Sequence, residues 1–299
     1  MHLKSNLIFK IVFCLVVLFT ADRVFGFFMN YQVRHLKNGG LFELKYKLVD
    51  ANPLVVILGS SRACHHYNTT ILQNRFNGKI INYGEDGSDI VYYYVVLAQL
   101  LKEGKKPQHV IVDIRPNEFG ASPYLNVVAG LYPISGEMSL EGNELGKIAP
   151  YENIKLHLYS YRFNNHVFDL IGATHGPLED TGTITGYKPL PPRQYTMYNG
   201  TESNFELHDD MVYYLKAIVG LCKSHNIKLT VCTSPYNANI VRDRSIEATE
   251  EICMKNGIQY LNYLNNGLLG LPSRFFVDEA HLDTNGADMF TSDFMARIK

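Results

Sequence analysis

The longest apolar run of the chain is near its start: Leu7 to Met29 reads LIFKIVFCLVVLFTADRVFGFFM. As a helix this run is about 35 Å long, enough to cross a hydrocarbon core of about 30 Å. Lys10, Asp22 and Arg23 interrupt it, and the unbroken piece from Ile11 to Ala21 has the length of a signal-peptide core. Thr20, Ala21 and Gly26 make no clean small-x-small cleavage site, because Asp22, Arg23 and Val24 intervene. The pattern therefore favours an uncleaved anchor over a secreted form released by cleavage. Cys14 has no lipobox before it. Lys4 and Lys10 precede the unbroken piece while Arg34, Lys37, Lys45 and Lys47 follow the run, so charge alone does not orient it.

From Leu54 onward the pattern changes to short β-branched runs alternating with longer segments of helical period. The expected strands are Leu54–Ser60, Lys79–Gly84, His109–Ile114, Lys228–Ser234 and Ile258–Leu264, and the expected helices are Ile90–Lys102, Asp209–Ser224 and Ile240–Lys255. This alternation predicts an α/β fold with a mainly parallel five-stranded sheet covered on both faces. The stretch from Phe119 to Ser203 breaks the rhythm and is rich in Gly, Pro, Tyr and Asn. It reads as an insertion, at about residues 120–205, that caps the sheet and carries a helix over Tyr151–Leu170. The organisation is then an anchor (residues 1–30), a juxtamembrane linker (31–50) and one catalytic domain (51–299) containing the insertion.

Composition narrows the function. A net charge of −1 with no long basic run excludes the electrostatic footprint of a nucleic-acid binder. Five cysteines without a CxxC pair point to neither a zinc site nor a disulfide framework. Twenty tyrosines and sixteen phenylalanines without a tryptophan suit core packing, or a groove facing carbohydrate.

Three segments carry candidate chemistry. The first strand runs into ILGSSRACHHY, which places Ser61 at a strand's carboxyl end just before a helix, where a hydroxyl faces a crevice; serine is also a common N-cap there. The second runs into INYGEDGSDI, where Gly84 and Gly87 let backbone approach a ligand, or simply make a turn. Near the C-terminus, FFVDEAHLDTNG sets Asp278 and His281 three residues apart, on one side of a helical turn. His281 could take the proton of Ser61 while Asp278 fixes its tautomer. No further spaced ligands complete a metal site around that pair, and no cofactor motif is present. Arg62, His65 and His66 follow the serine and are candidate substrate-binding residues.

Gly59-Ser60-Ser61, Asn82-x-Gly84-x-x-Gly87 and Asp278-x-x-His281, in this order, resemble the first, second and fifth blocks of the SGNH (GDSL-like) hydrolase superfamily. The resemblance implies a flavodoxin-like three-layer α/β/α sandwich in strand order 2-1-3-4-5. It also implies a Ser61, Asp278 and His281 triad and an oxyanion hole from Ser61, Gly87 and an asparagine, best matched by Asn117. Ser60 stands where the family carries Asp, and the third block is degenerate. With its anchor, the chain is similar to the envelope branch that includes the D-alanyl transfer protein of teichoic acid synthesis. That implies a bacterial membrane protein with an extracytoplasmic domain and a serine esterase acting on O-acyl groups of envelope glycans. The alternatives are an O-acyltransferase working with a membrane-bound O-acyltransferase partner, and a non-catalytic glycan-binding scaffold.

Overall fold

The computed structural model describes residues 2–120, 128–136, 151–193, 206–238, 240, 242–266 and 268–299. Along the chain, α1 (His2–Arg34) and α2 (Gly39–Lys45) precede β1 (Val55–Leu58), which is followed by α3 (Ser61–His66), α4 (Thr69–Leu72) and β2 (Ile80–Asn82). Next come α5 (Ile90–Lys102), β3 (His109–Asp113) and three short helices, α6 (Glu152–Leu156), α7 (Tyr159–Arg162) and α8 (Val167–Ala173). The order then runs α9 (Asp209–Ser224), β4 (Lys228–Thr233), α10 (Arg244–Asn256), β5 (Gln259–Asn262) and α11 (Thr284–Arg297). These elements form two compact units, residues 1–46 with 129–181, and residues 47–128 with 182–299.

The larger unit is an α/β sheet whose five strands run parallel in the order β2-β1-β3-β4-β5. Parallel strands need covering on both faces, and the side chains alternate accordingly. Val55, Ile57, Ile111 and Cys232 join one core cluster with Phe290 and Phe294 of α11. The intervening Val56, Leu58, Val110 and Val231 are equally buried, in the unit where α5, α9 and α10 pack on one another and on β4 and β5. Each strand is shorter than its apolar run, and the residues that follow β1 and β2 lead directly to Ser61 and Gly87 at the cleft. Helix α10 starts four residues later than its apolar pattern, where Asp243 accepts the Ile246 N–H at 3.1 Å, and it stops at Gly257 in a left-handed conformation.

The smaller unit brings the first helix together with part of the insertion. From Asp22 onward α1 buries one face, with Met29 and Val33 inaccessible. Asp22 accepts the backbone N–H groups of Tyr159 (3.1 Å) and Ser160 (2.8 Å), capping α7. A Cβ on Gly26 would lie 2.1 Å from the Tyr159 ring, so only glycine admits this crossing. Lys37 donates from its backbone to Ala173 (2.9 Å), and Glu179 donates to Lys37 (2.8 Å). Residues 31–50, expected as linker, are thus largely helical. The single helix expected over Tyr151–Leu170 is three pieces, because Leu158 is extended and Asn165 takes a positive φ of 68°. Of the expected insertion, residues 121–127, 137–150 and 194–205 lie outside the described residues, as does residue 241 within the helix expected over Ile240–Lys255.

One buried acid makes the larger unit's stability pH-dependent. Glu118 is fully buried, 3.2 Å from Arg115, and accepts the Tyr93 hydroxyl at 3.4 Å. Burial pushes its carboxyl up to about 7, against the pull of Arg115. The folded chain therefore holds this proton more tightly than the unfolded chain. The stability so gained is complete below the ordinary value of 4.5 and is lost as pH rises toward about 7. The urea midpoint is expected to fall between about pH 5 and pH 8, and Glu118→Gln to flatten that slope.

Candidate active site

The site forms where β1 ends, beside the point at which the strand order reverses. Ser60 is the N-cap of α3 and is 2% exposed, whereas Ser61 begins the helix and borders an open cleft of about 370 Å³. Gly84, just past β2, lets this happen: a Cβ there would lie 2.4 Å from the Cys64 backbone nitrogen, so any larger residue would push α3 away. Asn82 secures the same crossing, donating to the Ala63 carbonyl (2.7 Å) and accepting the Gly84 N–H (2.9 Å). Gly87 follows with φ of 72° and also borders the cleft.

Ser61 Oγ lies 2.7 Å from His281 Nε2, and His281 Nδ1 lies 2.8 and 2.9 Å from the two Asp278 oxygens. An ionised Asp278 accepts only, so Nδ1 carries the ring proton and Nε2 is left to accept from the serine hydroxyl. Burial works to raise the Asp278 carboxyl. The hydrogen bonds from the His281 ring and the Ala280 and His281 N–H groups outweigh it and hold the acid below its ordinary value.

Asp278 and His281 do not sit on a helical turn, as their spacing suggested. They lie in a loop closed by a bridge between Phe276 and Leu282, with Val277 N–H donating to the His281 carbonyl (2.9 Å). Asp278 bends back to accept the two N–H groups that a helix would otherwise use, and Asn237 clamps the tip through the Glu279 carbonyl (2.8 Å).

Of the three candidate substrate-binding residues, only His65 borders the cleft. Its Nδ1 lies 2.6 Å from the Lys188 carbonyl and its Nε2 lies 3.1 Å from Asp86. Arg62 and His66 are buried instead, on the adjacent face of α3, about 100° round from Ser61. Arg62 bonds the Ser234 carbonyl and hydroxyl. His66 Nδ1 lies 2.9 Å from Ser234 Oγ, and its Nε2 accepts the Leu282 N–H at 3.0 Å. Burial and the charge of Arg62 hold the His66 imidazole well below its ordinary value, so it is neutral and can accept there. Ser234 in turn donates to Asp113 (3.0 Å), which also accepts the Tyr67 hydroxyl (3.0 Å). This chain runs from the carboxyl ends of β3 and β4 to the residue next to His281.

Asn117 does not border the cleft. Beyond β3 the backbone turns through Asn117 at φ of 59°, and its N–H donates to Asp243 at 2.8 Å, toward the start of α10. The motif reading missed Leu190, Pro191 and Arg193, which line the cleft from the tail of the insertion. Leu190 is pinned there by Thr284, whose N–H and hydroxyl both donate to its carbonyl (2.9 and 2.8 Å). The dense prolines of KPLPPR, which fix an extended strap, were the available signal.

A family model described as a protein of unknown function (DUF1574) matches residues 3–132. No curated protein matches the chain in sequence. Among solved structures, the crystal structure of a GDSL-like lipase from Bacteroides thetaiotaomicron VPI-5482 is similar at a TM-score of 0.38 and 12% identity, covering 85% of this chain and 97% of that one.

Metal chemistry has one candidate set among the described residues, Cys64, His65 and Asp86, whose ligand atoms lie within 4.8 Å of one another. Burial pushes the Cys64 thiol up to about 12, so it stays protonated, and both His65 nitrogens already face protein oxygens. The set does not fit a thiolate metal centre.

Proposed function

We propose that this chain is a membrane-anchored, extracytoplasmic serine esterase that removes O-acyl groups from cell-envelope glycans. The supporting observation is the continuous path from Ser61 Oγ through both nitrogens of His281 to Asp278, with all three groups bordering the cleft. Ser61 attacks the ester carbonyl as His281 Nε2 takes its proton, and Asp278 stabilises the imidazolium so formed. The developing oxyanion is held by backbone N–H groups, for which Ser61 and Gly87 are the candidates. His281 then protonates the departing sugar oxygen, and water repeats the sequence on the acyl-enzyme. His65, Asp86 and Arg193 give the cleft polar partners suited to a polyol more than to a long acyl chain.

The test is the purified full-length protein in detergent, assayed with a small chromogenic acetyl ester and with a fluorophosphonate probe that marks activated serines. Turnover and probe uptake are expected together, the label mapping to Ser61. If neither occurs while envelope glycans still bind, the chain is a binding scaffold and the reading fails.

A further inference from the structure

The helix that carries the apolar run is too short to cross a bilayer before it meets the rest of its own unit. Leu7 to Thr20 spans only about 21 Å at roughly 1.5 Å per residue, against a hydrocarbon core of about 30 Å. Beyond Asp22 one face of α1 is occupied by α7, but the other continues as an exposed apolar stripe, Val24, Phe27, Phe28 and Tyr31, with Phe27 78% exposed. Counting from Leu7, the core thickness is reached near Phe28. The stretch that α7 packs against is therefore itself at the level of the acyl chains or headgroups.

The two charges that interrupt the run are arranged for that setting. Asp22, 9% exposed at its side chain, is satisfied by Arg23 (2.6 Å) and by the Tyr159 and Ser160 N–H groups. Arg23 also bonds the His157 carbonyl and lies over the rings of Tyr159 (4.3 Å) and Phe19 (5.0 Å). Charges met within the protein suit a setting from which water is excluded. Around them, α6 and its flanks expose Tyr151, Ile154 and, in the turn that follows, Leu158, with Ile154 68% exposed. Their neighbours His157 and Tyr159 touch Arg23 and Gly26 directly, so this apolar side lies within a few residues' reach of the bilayer surface.

We propose that α6 and α7 are seated in the membrane interface, Ile154 and Leu158 dipping among the lipids beside α1, so that the protein holds its bilayer by a span and a lateral foot together. The occupant of the exposed side is lipid. The proposal rests on α1 being a membrane span but not on the chemistry at Ser61, so the esterase reading can fail without it.

The experiment uses the full chain in vesicles of phosphatidylcholine and phosphatidylglycerol, carrying a nitrobenzoxadiazole fluorophore on a single thiol. Cys14 is the one exposed cysteine, so it takes the label in the native chain; Ile154→Cys and Leu158→Cys are labelled in a Cys14→Ser background. The Cys14 label is expected to be quenched by lipids bearing a nitroxide deep in the acyl chain. The labels at 154 and 158 are expected to be quenched by nitroxides near the headgroup and protected from iodide in the water. Labels at 154 and 158 that iodide quenches and neither nitroxide reaches, with Cys14 still lipid-quenched, would overturn the foot. A Cys14 label open to iodide would overturn span and foot together.

Discussion

Ser61→Ala is expected to lower turnover of an acetyl ester on the order of 10⁴- to 10⁶-fold and to abolish fluorophosphonate labelling, with the fold intact. Ser61 is the only hydroxyl 2.7 Å from His281 Nε2 among the described residues, so nothing present replaces it. His281→Ala is expected to cost about as much, because the two act as one device, and Asp278→Asn on the order of 10⁴-fold through loss of the ring's tautomer. Ser60→Ala is the discriminating control. It is buried at the N-cap and makes no side-chain capping bond, so most activity is expected to survive. Steady-state kinetics on the four variants checks the set, and a Ser60→Ala loss equal to that of Ser61→Ala would reassign the nucleophile.

The second large effect is on stability. Arg62 is 2% exposed, and Asp113, with an oxygen 4.0 Å from its Nε, is the carboxylate that balances it. Asp113→Ala leaves the guanidinium buried without a counter-charge and strips acceptors from Ser234 and Tyr67, a loss of about 3–5 kcal/mol. For a unit of this size the melting temperature is expected to drop by about 10 °C. Differential scanning fluorimetry measures it directly. Asp113→Asn, which keeps an acceptor, is expected to fall between the two, and a melting temperature unchanged in both variants would mean that Arg62 is balanced elsewhere.

Much of this was legible in the sequence, for reasons that particular residues make plain. The strands announced themselves because a parallel sheet is apolar on both faces, so VVIL and HVIVD stand out as unbroken runs. Ser61 and the Asp278–His281 pair stood out because their spacing is tied to single turns of chain. Of the neighbours of Ser61, His65 borders the cleft while Arg62 and His66 turn away from it. Residues 61 and 65 share one face of α3, and 62 and 66 lie on the next face, about 100° round, which the fold turns to the core. Asp113 and Ser234 carry no local mark, since their role depends on β3 and β4 being neighbours in space. The break-up of the helix over Tyr151–Leu170 is likewise tertiary in origin: Leu158 turns out of the helix where the following segment takes its cap from Asp22.

Ser61 and His281 are 220 positions apart in the chain, and α11, just after His281, packs on α3, which begins at Ser61. If Ser61 and His281 act together as proposed, a chain made no further than α10 holds the serine with no base beside it. In the proposed mechanism, a chain clipped before His281 would hold the serine without its base, and an ester that met it would pass unharmed.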